Sequence, residues 1–371
     1  MAAYTQDTRL IGITTPLGKD VLLLRGFSGR ESMSQLSAFD LDLLSKDPEI
    51  KFEDIIGKRV TLRVTLSQDK ERYFNGFISR FVQTGAQTGM ANYRATMVPW
   101  LWFLTKTTDC RIFQNKTIPD IVQGIFKEYG FTDVKAKLQG TYEPRDYCVQ
   151  YRETDYNFVA RLMEQYGIFY FFEHEKEKHT LVLTDNPDAH QPCPEQPKAK
   201  WNPQGSKSLT DDVVSTLEVE KIFRPGKYSL TDYNFETPST SLLSEIDTTI
   251  TVGGNTKYEV YDYPGEYEKK TQGKTLVKLR MEEQEVKHLS VTGTSSCRAF
   301  ATGYRFDFED YSRADLNQAY VLTSLSHSAT VGDTYTTGKS SDGSSAYTNA
   351  FVCIPYKVPF RPPQITPKPI V

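Results

Sequence analysis

The chain has 371 residues, 38% of them hydrophobic and 12% aromatic, with a formal net charge of −3 and a pI near 6.0. That length suits two or three domains, and no Lys/Arg run supplies the concentrated positive charge that nucleic-acid binding needs to displace counterions. The five cysteines, Cys110, Cys148, Cys193, Cys297 and Cys353, are scattered with no CxxC pair, which predicts reduced thiols in a protein that folds in the cytoplasm. Met1–Leu10 carries Gln6, Asp7 and Arg9 where a signal peptide needs apolar residues. Val21–Leu24 is far short of the roughly 20 residues that cross a bilayer. Any export is therefore expected through a machine that reads no Sec-type signal.

The first hundred residues read as β-structure. Phe39, Leu41 and Leu43 alternate with Asp40 and Asp42, and Val60, Leu62, Val64 and Leu66 alternate with Thr61, Arg63, Thr65 and Ser67. Period-two alternation sends one set of side chains to a core and the other to solvent. Gly57-Lys58, Asp69-Lys70 and the Gly85–Gly89 loop punctuate the strands, a spacing that suits a barrel or a sandwich. From about Lys106 the pattern changes. Thr117-Ile118-Pro119-Asp120 is a helix start, and Ile118, Ile121, Val122, Ile125, Phe126 and Tyr129 form its apolar face before Gly130 ends it.

A second helix spans about Asp155 to Tyr166. Thr154 or Asp155 can cap it, Phe158, Val159, Leu162, Met163 and Tyr166 form its stripe, and Gly167 stops it. A hairpin follows from Ile168 through Glu175–Lys178 to Leu181–Leu183, and proline-rich His190–Gly205 reads as a linker. Strands are expected at Ser215–Phe223, at Tyr228–Phe235 and again over Ser295–Ile354. Lys269–Leu289 reads as a charged helix with Leu276, Leu279 and Val286 as apolar markers. Gly332–Ser345 is a Gly/Ser/Thr-rich loop, and the prolines from Pro355 to Pro369 make an extended strap. Two units echo one another: Phe77–Phe81, a glycine-rich loop, Tyr93 and Met97–Trp100; then Leu322–Ser326, a glycine-rich loop, Tyr347 and Val352–Tyr356. They mark an internal duplication or two hairpins built from the same turn vocabulary.

Motifs that suggest chemistry fail on spacing. His174-Glu175-Lys176-Glu177-Lys178-His179 has its histidines five apart, whereas a zinc helix needs four, so it reads as a solvated charged turn. Gly273-Lys274-Thr275 has Glu268 where a phosphate loop needs glycine. His190 and Cys193 lack a second ligand pair, no GxSxG elbow occurs, and Cys148 reads as a buried, inert thiol. No residue is expected to be catalytic, to bind a cofactor or to hold a metal.

The run Cys148–Phe172 closely resembles the most recognisable stretch of VgrG proteins, the spike proteins of bacterial type VI secretion, which are similar to tail-hub proteins of contractile phages. Arg111-Ile112-Phe113-Gln114, Tyr261-Asp262-Tyr263-Pro264-Gly265, Val98–Leu104 and the strap from Phe360-Arg361-Pro362-Pro363 to Lys368-Pro369 resemble further family segments, in family order. The resemblance implies an α+β, mainly β, phage tail-hub-like fold: two tube-type β-barrels with an inserted α+β subdomain. The expected division is a first barrel at 1–105 and an insert at 106–200, joined by 236–290. A second barrel follows at 201–355, discontinuous as 201–235 and 291–355, and the strap at 356–371 leads toward an OB-fold and spike region. The chain stops at Pro369-Ile370-Val371, which reads as the hub portion of a longer protein.

The implied function is structural, not enzymatic. A homotrimer caps the hexameric tube protein (Hcp), contacts baseplate components, and carries a cell-puncturing needle, a spike-tip protein and effectors through the region beyond the strap. A threefold object matches a sixfold ring only if each subunit offers two quasi-equivalent faces. Assembly in the cytoplasm and export by the type VI machine are implied with it. The alternatives are a prophage contractile-tail hub, a hydrolase, or a carbohydrate-binding β-protein with Trp100, Trp102 and Trp201 clustered at the surface.

Overall fold

The computed structural model describes residues 4–67, 70–87, 89–205, 212–332 and 346–369. Asp69 of one expected turn, Thr88 of another, all of the Gly332–Ser345 loop after Gly332, and Ile370-Val371 lie outside the described residues. Six strands open the chain: β1 (Ile11–Thr14), β2 (Leu23–Ser32), β3 (Ala38–Ser45), β4 (Arg59–Thr65), β5 (Glu71–Gln87) and β6 (Met90–Val98). They line up as β1-β4-β5-β6-β3-β2, each neighbouring pair antiparallel. The alternation does its work here: Val60, Leu62 and Val64 meet Phe39, Leu41, Leu43 and Phe74 inside. A side chain closes the seam between β1 and β2. Buried Gln6 accepts through Oε1 from Ile13 N (3.0 Å) and Leu24 N (2.9 Å), and its Nε2 donates to Leu22 O (3.1 Å). One carboxamide thus satisfies backbone groups that a ladder would otherwise pair.

A 3-10 segment, Trp100–Lys106, leaves this barrel, and its buried Trp100, Leu101 and Leu104 pack with the helices that follow. These apolar side chains thus share a core with the two helices that follow. The insert holds β7 (Thr108–Phe113), α1 (Ile118–Glu128), β8 (Val134–Lys137), β9 (Cys148–Thr154), α2 (Asp155–Gln165), β10 (Phe169–His174) and β11 (His179–Thr184). Thr117 Oγ1 accepts from Asp120 N at 3.2 Å and Thr154 Oγ1 from Asn157 N at 3.1 Å, capping both helices as their sequences predict. Gly130 and Gly167 end them with left-handed φ of 74° and 66°. Strands β10-β11-β8 form one small sheet and β7-β9 another.

The remaining elements are β12 (Lys198–Trp201), β13 (Val213–Lys221), β14 (Lys227–Leu230), β15 (Ser244–Asp247), β16 (Glu259–Asp262), α3 (Lys270–Val286), β17 (Leu289–Ser295), β18 (Arg305–Glu309), β19 (Ala319–Thr330) and β20 (Ala346–Pro355). Six of them close a second barrel, β12-β18-β19-β20-β17-β13, with β13 returning to β12. β12 starts inside the segment assigned to the insert, since Ala199 packs in the second barrel's core. The strand expected at Tyr228–Phe235 is a correction. It ends at Leu230 and joins β15 and β16 in a separate sheet, β15-β14-β16, covered by α3. Tyr228 and Leu230 meet Leu276, Val277 and Leu279 of α3. α3 also joins the insert: Arg280 donates to Glu164 O (2.9 Å) and Gln165 O (3.0 Å) at the end of α2, and Leu279 lies against Gly167.

Candidate functional site

The two barrels share one strand order. Replacing β1 to β6 in turn by β12, β13, β17, β18, β19 and β20 converts the first order into the second. The registers agree at two bulges, while a further β5/β6 bulge between Gln83 and Gly85 has no counterpart in β19/β20. A bulge interrupts β5/β6 between Ile78 and Arg80, and one interrupts β19/β20 between Leu322 and Ser324. Another lies in β2/β3 between Leu24 and Gly26, matched in β13/β17 between Val214 and Thr216. Bulges re-aim a strand at a chosen residue, so two shared bulges are a strong signature of one architecture used twice. Before β4 and before β18 sits a left-handed glycine, Gly57 (φ 71°) and Gly303 (φ 86°). Each donates its N–H at 2.8 Å to the strand beside it, to Ile78 O and to Leu322 O.

The match covers five strands and breaks at the sixth. β1 is antiparallel to β4, whereas β12 runs parallel to both β18 and β13. The proline-rich lead-in delivers β12 from the opposite end. Packing volumes are redistributed too: Leu41 faces Ala95 in the first barrel, and Gly293 faces Phe351 in the second. A Cβ on Gly293 would meet the Phe351 ring at 2.6 Å, so the small residue admits the large one.

Within the chain the barrels join by strand pairing, Gly26–Ser32 of β2 antiparallel to Ser324–Thr330 of β19. Ser32 Oγ and Ser324 Oγ lie 2.7 Å apart across it. Beneath the join, buried Glu31 accepts from Arg72 (3.1 Å) and from His327 Nε2 (3.2 Å), while Tyr347 OH donates to His327 Nδ1 (2.7 Å). Burial disfavours the Glu31 charge, but the His327 hydrogen bond and the Arg72 guanidinium outweigh it and bring the carboxyl down to about 2. Burial pushes His327 down, so the imidazole is neutral beside an ionised carboxylate. No sequence motif announces this cluster, because its members come from four separate strands.

The turn at Glu175–Glu177 is exposed, as its charges suggest, but the histidines that flank it are not free in solvent. The turn itself is charged, but Thr61 Oγ1 donates to Lys176 O (2.7 Å) and Arg59 donates to Glu177 O (2.7 Å), seating it on β4. His179 is fully buried, accepts from Trp100 N at 2.9 Å and donates through Nδ1 to Asn75 Oδ1 of β5 (2.9 Å), and His174 Nδ1 accepts from Asn75 N at 3.1 Å. Both histidines fasten the insert to the first barrel. Burial brings His174 down to about 4. Gly273-Lys274-Thr275 lies inside α3, where Gly273 lets the helix approach Tyr267. His190 bonds Gly303 O (2.7 Å), and burial pushes the Cys193 thiol up to about 12. Cys148 is buried and its thiol is likewise raised. Trp100 is buried against Phe126 and Phe131, while half-buried Trp102 and Trp201 pack on Phe103 and Tyr311, so the three form no stacking platform. Among the described residues no group of three or more His, Cys, Asp or Glu could hold a metal, and no helix is long and apolar enough to cross a membrane.

Two anchors escaped the sequence reading. Asp155, wholly buried, accepts from Tyr129 OH (2.6 Å), Thr107 Oγ1 (2.7 Å), Gln150 Nε2 (2.7 Å) and Arg111, tying β7, α1, β9 and α2 together. Glu164 accepts from Ile365 N (3.1 Å), Thr366 N (3.0 Å) and Thr366 Oγ1 (2.7 Å), and Arg361 pairs with Glu282 at 2.7 Å. The strap is thereby fixed to α2 and α3. The Arg111 motif hinted at the first anchor; nothing local to Glu164 points to a partner some two hundred residues on.

Residues 30–333 match the phage tail baseplate hub (GPD) family. The Pseudomonas aeruginosa type VI secretion system spike proteins VgrG1c and VgrG1b are each 35% identical, over 99% and 100% of this chain. The chain spans about half the length of these curated relatives, 50% and 49%. In fold it is similar to an E. coli type VI secretion component described as resembling the T4 tail proteins gp27 and gp5. That likeness has a TM-score of 0.71 and 18% identity, covering 96% of this chain and 81% of that one. It is also similar to a 43 kDa prophage tail protein from Shewanella oneidensis, with a TM-score of 0.63 and 12% identity over 94% of this chain and 99% of that one. With most of its length matched and the paired barrels in place, the chain belongs to the phage tail baseplate hub (GPD) family.

Proposed function

We propose that this chain is the hub region of a type VI secretion spike. Three copies present six barrels to the hexameric tube protein, Hcp, and contact the baseplate. The longer protein carries the needle, a spike-tip protein and effectors. The observation that carries this reading is the shared strand order of the two barrels, which gives each subunit two quasi-equivalent faces and lets a threefold assembly meet a sixfold ring. The similarity to VgrG spike proteins over the whole chain supports it. A subunit interface of roughly 2,000 Å² or more fits such an obligate assembly.

The division into barrel, insert, barrel and strap is part of the proposal, as are assembly in the cytoplasm, export by the secretion machine, and the absence of enzymatic chemistry from this region. The relative named as an actin cross-linking toxin, from Vibrio cholerae, is matched over only 33% of its own length. A prophage tail hub is a second reading of the same mechanical class, favoured by the likeness to the Shewanella prophage tail protein. Deleting the gene separates them. Loss of Hcp from the culture medium, restored by the wild-type gene, is the expected result; undiminished Hcp export in the deletion strain contradicts the secretion reading.

A further inference from the structure

The join between the barrels of one chain leaves its own complement exposed twice. β19 carries β18 along Ala319–Val321 and then β2 along Ser324–Thr330. Its counterpart β5 carries β4 along Glu71–Phe77 and bonds Gly57 and Lys58 at Ile78. Beyond that, among the described residues, no strand lies on the same side. β2 carries β19, whereas its counterpart β13 is flanked by β12 only at Val213 and Val214. From Thr216 onward the far edge of β13 is open among the described residues. A bare edge presents unpaired N–H and C=O groups, and here two such edges have the shapes that already fit each other inside the molecule.

We infer that β13 of one copy pairs antiparallel with β5 of a second copy, repeating the β2–β19 join between subunits. This rests on the hub reading and adds the contact residues and their register. The shared bulges fix the equivalences: Gly26 with Thr216 in one strand pair and Ser324 with Arg80 in the other. The intramolecular pairs Ser32–Ser324, Glu31–Leu325 and Arg30–Ser326 then become Ile222–Arg80, Lys221–Phe81 and Glu220–Val82 between copies. Met33 N, which donates to Thr323 O, becomes Phe223 N donating to Ser79 O of the second copy.

Side chains at both edges agree. Ile222 and Phe223 are exposed at the end of β13, and Phe52 and Ile56 are exposed beside β5, where the Phe52 ring lies against Phe81. The register brings these two apolar groups to the same end of the join. It also sets exposed Glu220 diagonal to exposed Arg80, an attractive cross-strand pair. Ile222 N donates to His288 O on the β17 side, so the groups of Lys221 and Val219 point outward to the open edge. Glu220 and Val82 then form a non-hydrogen-bonded pair, with Cα atoms about 4.5 Å apart, close enough for a disulfide.

The test is Glu220→Cys with Val82→Cys in the full-length gene product, in a Cys110→Ser background, oxidised with glutathione disulfide. The expected result is a covalent ladder ending at the trimer on a non-reducing gel, with over tenfold less from Glu218→Cys with Val82→Cys and none from either single variant. A trimer by light scattering that gives no ladder, or equal ladders from both pairs, overturns the strand assignment and leaves the hub reading standing. A gene product that stays monomeric at micromolar concentration overturns both.

Discussion

Ser79 and Thr323 occupy one position in two barrels: each is the extra residue of a bulge, and each hydroxyl donates at 3.1 Å to a carbonyl of the next strand, Thr96 O and Val352 O. The hydroxyl secures the kink at the point where β5 leaves β4 and β19 leaves β18. Exchanging the two types, Ser79→Thr and Thr323→Ser, is expected to shift stability by less than ~0.5 kcal/mol. Thr323→Val, which keeps bulk but loses the donor, should cost about 1 kcal/mol in a urea titration.

Gly57 and Gly303 make a sharper comparison. Both have left-handed φ, so alanine strains the backbone at either place by about 1–2 kcal/mol. At Gly57 a Cβ meets nothing within 4 Å, but at Gly303 it meets the Phe171 ring at 2.3 Å. Gly303→Ala should therefore exceed Gly57→Ala by about 1–3 kcal/mol, the cost of overpacking against the insert. Thermal melts of the two variants check this, and equal costs would count against the tight contact.

Glu31 governs the acid limb of stability. Its carboxyl sits at about 2 in the folded protein against an ordinary 4.5. A depressed carboxyl stabilises the fold above pH 4.5, and that contribution is lost as pH falls toward 2. At about 1.4 kcal/mol per unit, some 3 kcal/mol is at stake. Glu31→Gln leaves Arg72 without its carboxylate and should cost about 3–5 kcal/mol at neutral pH, with a flatter profile between pH 4.5 and 2. Denaturant titrations across that window measure it.

The histidines of the β10–β11 hairpin respond over a higher range. His174 is held neutral, down at about 4 from 6.5, so its contribution is complete above pH 6.5 and is lost as pH falls toward 4. His179→Ala should cost about 2–4 kcal/mol, because it opens a cavity and orphans Trp100 N. Glu175→Ala, on the exposed turn, should be silent within ~0.5 kcal/mol. Neither variant should change metal content, since the purified protein is expected to hold no zinc; stoichiometric zinc by elemental analysis, lost with His179→Ala, would reverse that view.

Local patterns disclosed much of this fold. Alternation at Val60–Leu66, the Thr117 and Thr154 caps, and the Gly130 and Gly167 stops each act within a few residues, and the structure keeps all of them. The echo between Phe77–Trp100 and Leu322–Tyr356 was visible because bulge, turn and aromatic recur in order. Long-range partnership was not legible. Glu31 with His327, Glu164 with Thr366, and Gln6 at the barrel seam are polar residues whose role depends on what the fold brings to them. The Tyr228 strand looked like any other short strand, and its pairing with β15 and β16 beneath α3 assigns it to a separate sheet.

The central claim is that one chain supplies two quasi-equivalent barrels to a sixfold tube. Electron cryomicroscopy of the full-length gene product bound to the hexameric tube protein tests it most directly. The account predicts three subunits whose six barrels alternate first and second around one ring, each barrel seated on one tube subunit. A hub of any other copy number, or a ring in which only one barrel type touches the tube, would contradict it.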